Sequence, residues 1–182
     1  MHSPDIRTTN RYCEYGVNAV WGPHFADQYL AESVDQDPVY TAVTTRHEDE
    51  PFFSKLKQEL GNQFKARASF LVGKEHVKHL KRGRIVIQNS KYKEITRRLF
   101  EGMVCNRLVI TDRPDPDTRI DLLFKENEDI VYFDSFDECV DKINYYSKND
   151  KERLRITQSG YNKVIKNHTT AKRVDKLLEL LK

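Results

Sequence analysis

Runs of β-branched and apolar residues recur along the chain at 39–45, 68–72, 85–90, 108–111 and 130–133, with stretches of helical period between them. No other feature constrains the fold as much. A strand that is followed by a helix and a further strand returns in the same direction, so the strands form a parallel sheet with helices on both faces. The expected fold class is α/β. Between the first two strands, Phe52, Phe53, Leu56 and Leu60 share one helical face, and Gly61 stops the helix. A second helix is expected at 74–81. The strand at 85–90 runs through a polar loop into a short helix with Thr96 as its N-cap, and Ile95, Leu99 and Met103 face the sheet. Ile120, Leu122, Leu123 and Phe124 read as another short helix. The remainder is helical. Ser135 and Glu138 form a capping box, while Asp150 and Thr169 cap the last two helices. In the final helix Val174, Leu177, Leu178 and Leu181 make a stripe too short for a coiled coil, which reads as packing.

The N-terminal end is different. Residues 1–19 are polar with weak periodicity and read as a hinge or the remnant of a preceding domain; residues 20–182 read as the folded domain. A short strand at 17–24 ends at Gly22-Pro23, and 28–37 reads as an acidic connector.

Composition excludes several classes of function. The 182 residues suffice for one domain with a core, and 38% hydrophobic against 32% charged residues is a globular balance. Cys13, Cys105 and Cys139 are odd in number and far apart, with no CxxC, so neither a disulfide framework nor a zinc site is expected. No apolar run reaches the length of a membrane span and no signal peptide is evident, which makes the cytoplasm the expected location. His76 and His79 have a usable metal spacing, but no acidic or cysteine partner lies at zinc-site spacing, so no metal is expected. The basic run 74–84 lacks interleaved aromatics and reads as a solvated helix face rather than a nucleic-acid surface. The absence of G-x-G-x-x-G and of a Walker sequence argues against a nicotinamide or flavin cofactor and against a P-loop.

Chemistry concentrates at 94–112. Arg97 and Arg98 sit just inside a helix start, and Glu101 follows one turn after Arg97. A helix N-terminus carries unpaired N–H groups and partial positive charge, guanidinium groups match phosphate oxygens, and a carboxylate can accept bonds from sugar hydroxyls. Together they can cradle a nucleoside diphosphate. The same residues also fit an ordinary charged face with an Arg97–Glu101 pair. Arg46 follows the first strand, at the edge where open α/β sheets bind ligands, and is either a phosphate contact or a surface arginine. His24 is either a loop histidine or a ligand contact.

Arg98-Leu99-Phe100-Glu101-Gly102-Met103, followed by Leu108-Val109-Ile110-Thr111-Asp112 and by Glu128-Asp129-Ile130-Val131-Tyr132-Phe133-Asp134, resembles the signature of glycosyltransferases of the spore-maturation (CgeB-like) type in the group 1 superfamily. Pro23-His24-Phe25-Ala26-Asp27 is similar to the start of the C-terminal domain in that family. The resemblance implies one Rossmann-like half of a GT-B fold with a helical C-terminal end. It also implies metal-independent binding of a nucleotide-diphosphate sugar whose sugar passes to an acceptor hydroxyl. By that resemblance Glu101 contacts the ribose and Arg98 the diphosphate, Arg97, Arg46 and His24 are further donor contacts, and Glu94 is one residue out of register for a sugar-contacting role. No catalytic residue is assigned. A second domain, which would hold the acceptor, is implied as a partner. The alternatives are a non-catalytic nucleotide-binding module and a basic interaction or nucleic-acid-binding protein.

Overall fold

The computed structural model describes residues 2–180. Strands β1 (His2–Ser3) and β2 (Val20–Trp21) form a short parallel pair. The main sheet contains β3 (Tyr40–His47), β4 (Phe64–Arg67), β5 (Gly83–Gln88), β6 (Leu108–Asp112) and β7 (Val131–Phe133). All of its pairings are parallel, and the spatial order is β4-β3-β5-β6-β7. The chain starts at β3, steps outward to β4, then crosses back to β5. Strand order therefore reverses beside β3, which opens a crevice at the carboxyl ends of the strands.

Side chains alternate across the sheet as a period of two requires. Val43, Val86 and Val109 enter one core with Leu99, Phe100 and Met103 of α5 (Arg97–Val104), Val77 and Leu80 of α4 (Gly73–Lys81), and Val164 of α7 (Asp150–Asn167). Ala42, Ile85, Ile87, Leu108 and Ile110 enter the other with Phe53 and Leu56 of α3 (Pro51–Leu60) and Cys139 and Ile143 of α6 (Phe136–Lys148). Several helix stops and starts are those expected of their residues. Pro51 occupies the first turn of α3, and Gly61 closes it at φ +55°. Ser135 accepts from the Glu138 amide at 3.1 Å, and Thr169 from the Lys172 amide at 3.3 Å to begin α8 (Thr170–Glu179).

Several expectations need correction. The edge strand is Phe64–Arg67, not 68–72. Phe64 and Ala66 supply the buried alternation and pairing with β3 ends at Arg67, so the β-favouring residues that follow lie beyond the sheet, with Phe70 80% exposed. Helix α1 (Ile6–Glu14) stands in the weakly periodic N-terminal stretch; Asp5 caps it by accepting from the Arg7 amide at 2.9 Å. Part of the acidic connector is α2 (Gln28–Glu32), too short to show a period and capped by Asp27. Around 116–122 there are two 3-10 turns, Pro116–Thr118 and Ile120–Leu122, joined by Arg119 in the left-handed region, rather than an α-helix. Asp150 is the first residue of α7, and it pairs with Arg153 at 2.9 Å instead of capping. Finally, α8 docks through Arg173, whose guanidinium meets the Pro23 carbonyl and lies over the Phe25 ring. Its stripe of Val174, Leu177 and Leu178 is exposed, and Leu181 lies outside the described residues.

Candidate functional site

The crevice holds a cavity of about 510 Å³. Thr45 and Arg67 reach it from the carboxyl ends of β3 and β4, and loop 70–73 and His76 from the start of α4. Arg97, Arg98 and Glu101 reach it from α5. Its far wall is the segment 25–27 with Leu30 and Thr170. That wall is tied to the C-terminal helices. Ala26 donates to the His168 carbonyl at 3.0 Å, and the Thr170 amide donates back to the Ala26 carbonyl at 3.1 Å.

Two devices fix α5 over the sheet. Asp112, at the end of β6, accepts from the Ser90 amide at 2.7 Å and from its hydroxyl at 3.0 Å, and pairs with Lys93 at 3.3 Å. The loop before α5 is thereby held down. Gly102 then lets the helix sit close to the sheet: a Cβ there would lie 2.8 Å from Val109 Cγ2 and 3.3 Å from Val86 Cγ1. Glu101 and Arg98 are positioned by that contact.

The helix starts at this edge are electrically open. Thr96 occupies the N-cap position of α5, as expected, yet its side chain makes no cap bond and its hydroxyl is buried without a partner. Val72 before α4 has no capping group either. Thr45 Oγ1 and Arg67 Nε are also buried and unpartnered. Among the described residues nothing bonds or pairs with the half-buried Arg98 guanidinium; burial first, then the charge of Arg46, lowers its pKa. Unsatisfied donors and a guanidinium with no direct partner beside one cavity suit an anion.

Glu101 is the opposite case. Its Oε1 forms an ion pair with Arg97 Nε at 2.9 Å and its Oε2 lies 3.1 Å from His76 Nε2. Burial resists its ionisation, but the His76 bond and the charges of His76, Arg97 and Arg98 outweigh it and hold the carboxyl below its ordinary range.

Arg97, Arg98 and Glu101 are thus brought together at the cavity. Arg46 does not line it; Glu50 holds its guanidinium in an ion pair of 2.7 Å. His24 lines a separate hollow of about 120 Å³ with Asp5 and Glu94, and its ring stands edge-on to Phe100. Burial, then Arg97, lowers the His24 pKa. Sequence reasoning missed His76, Arg67 and the 70–73 loop. The two histidines of the basic run do not belong to a solvated face: His76 meets Glu101, and buried His79 donates through Nε2 to the Thr44 carbonyl at 2.8 Å. The available signal was helical period, since His76, Val77 and Leu80 fall on one side of α4. Among the described residues no three His, Cys, Asp or Glu cluster as metal ligands, and no helix is long and apolar enough to cross a membrane.

A family model described as glycosyl transferase-like matches residues 44–179. Among solved structures, the chain is similar to a glycosyltransferase from Rickettsia africae at 13% identity and TM-score 0.68, covering 98% of this chain and 62% of that one. It is similar to the Anabaena protein HepE in complex with UDP-glucose at 10% identity and TM-score 0.75, covering 99% of this chain and 62% of that one. It is also similar to the C-terminal domain of a group 1 glycosyl transferase from Francisella tularensis at 14% identity and TM-score 0.54, covering 80% and 96%. The chain therefore spans 62% of the length of the Rickettsia and Anabaena structures. No curated protein sequence matches it at significant similarity.

Proposed function

The chain belongs to the glycosyl transferase-like family, and on that premise we propose that its 510 Å³ cavity binds the nucleoside diphosphate of a sugar donor. The observation that carries this reading is Arg98, a half-buried cation with no hydrogen bond or ion pair among the described residues, at an uncapped helix start near the unpartnered Thr45 Oγ1, Thr96 Oγ1 and Arg67 Nε. A diphosphate supplies the missing acceptors. Arg98 and Arg67 receive its oxygens, Arg97 joins from the rim, and the amides at the start of α5 add their partial charge. Glu101, one turn along, receives the ribose hydroxyls. When the sugar leaves, negative charge builds on the diphosphate, and these fixed donors stabilise it. The guanidinium cluster carries out the neutralisation that a divalent metal performs elsewhere, so donor binding is metal-independent.

Transfer also needs an acceptor hydroxyl, which a separate acceptor-binding domain presents across the crevice. Residues 1–19 lie on the hinge side of that junction and 20–182 form the donor-binding domain. The buried free thiols Cys105 and Cys139 suit a reducing compartment and hence the cytoplasm. The complex of the Anabaena neighbour makes UDP-glucose the first donor to test.

The test is calorimetric titration with UDP, GDP, ADP and their sugar conjugates, with and without EDTA. One nucleotide saturates the site, EDTA leaves its affinity unchanged, and Arg98→Ala weakens it about 10- to 100-fold, the worth of one charge-assisted hydrogen bond. If no nucleotide binds, or if Arg98→Ala and Glu101→Ala leave affinity untouched, the reading is wrong.

A further inference from the structure

We infer that His76 is a positioning residue for Glu101, and that the preference of this site for ribose over 2′-deoxyribose depends on it. The inference rests on the donor-site reading above and goes one step beyond it. A carboxylate selects a diol only if its oxygens stay where the hydroxyls arrive. Glu101 is held from two sides, by Arg97 at 2.9 Å and by His76 at 3.1 Å. The two anchors differ in permanence. The Arg97 side chain is 67% exposed, lines the cavity, and is itself a diphosphate contact, so donor binding draws it away from Glu101. The His76 side chain is 20% exposed and comes from a different helix, α4, whose neighbours Val77 and Leu80 are buried in the core. Once Arg97 turns to phosphate, His76 is the anchor that remains.

Chemistry fixes the direction of the bond. An ionised carboxylate has only acceptor sites, so His76 must carry its proton on Nε2 and donate. The lowered pKa of Glu101 agrees with that assignment. Glu101 and His76 line the cavity together, and the carboxylate keeps free lone pairs on both oxygens. With His76 in place they accept two hydroxyls; without it the carboxylate can follow Arg97 and lose its aim.

The experiment compares each nucleoside diphosphate that binds with its 2′-deoxy counterpart, by calorimetry, on the wild-type chain and on His76→Ala, His76→Gln, Glu101→Ala and the double variant. The wild type prefers the ribonucleotide about tenfold or more, as expected for a hydrogen bond to a charged group. His76→Ala brings the preference down to about threefold or less, and it weakens the deoxynucleotide, which keeps its 3′ hydroxyl, less than the ribonucleotide. His76→Gln, whose amide can place a donor near the same point, restores most of it. In the double variant His76→Ala adds no loss to that of Glu101→Ala, as coupled residues require. A wild-type preference retained in His76→Ala overturns the inference and leaves the donor-site reading intact. So does a ribose preference absent from the wild type while Arg98-dependent binding persists. If no nucleotide binds, both fall together.

Discussion

Arg98 is held half-buried with no hydrogen bond or ion pair of its own among the described residues, and burial of a charge in that state lowers stability unless something compensates it. A ligand anion would. Arg98→Met should therefore raise the melting temperature of the unliganded chain by a few degrees, on the order of 1 kcal/mol, while weakening nucleotide binding. A melting scan with and without nucleotide checks both halves. His168 shows burial acting on a titratable ring. It packs at 5.3 Å from Phe100 and 5.9 Å from Phe124, and burial first, then Arg173 and Lys176, push its pKa from 6.5 down to about 4. The unfolded chain takes up the proton first. Stability is therefore unaffected above pH 6.5 and falls as the pH drops toward 4. In His168→Leu the pH dependence of the melting temperature across that interval should flatten; an unchanged slope would contradict the assignment.

The decisive element is α5 together with the loop that delivers it. Gly102 faces Val109 and Val86, so Gly102→Ala gains helix propensity of about 1 kcal/mol but meets overpacking of about 1–3 kcal/mol. The expected net is a modest loss of stability and a larger loss of nucleotide affinity, because the helix that carries Arg98 and Glu101 is displaced. Asp112 acts on the other end. Only 1% exposed, it satisfies the Ser90 amide and hydroxyl, and Asp112→Ala would strand those donors at a cost of about 2–4 kcal/mol. Chemical denaturation of both variants beside nucleotide titration would separate stability from positioning. Equal effects on the two would argue against a positioning role.

At the scale of the molecule, the cavity is closed by chain segments from both ends: Ala26 near the start bonds to His168 and Thr170 near the end. A ligand bound there ties the sheet edge, α4, α5 and this wall together. A donor at about 100 times its dissociation constant should add about 2.7 kcal/mol, and so raise the melting temperature by about 5–10 °C. The rise should follow the logarithm of nucleotide concentration and be insensitive to EDTA. A rise that EDTA abolishes would bring a metal into the site.

The parallel sheet, its two helical layers and most helix ends were legible along the chain, because strand period, helix period and capping residues such as Ser135 and Thr169 are local properties. Arg97, Arg98 and Glu101 were legible as a group for the same reason: their spacing within α5 is itself local. What lay beyond reach depended on contacts between distant segments. Phe70 and Leu71 have the composition of a strand, and only the pairing of Phe64–Arg67 with β3 leaves them as a rim of the cavity. Arg46 stands where a phosphate contact would, and only the nearness of Glu50 turns it aside. His76 is separated from Glu101 by 25 residues, and no spacing rule joins them. Periodicity determined which residues face a core. The tertiary arrangement alone decided which polar groups meet in the crevice, because hydrogen bonds between elements depend on how the elements are placed and not on the order of residues within any one of them.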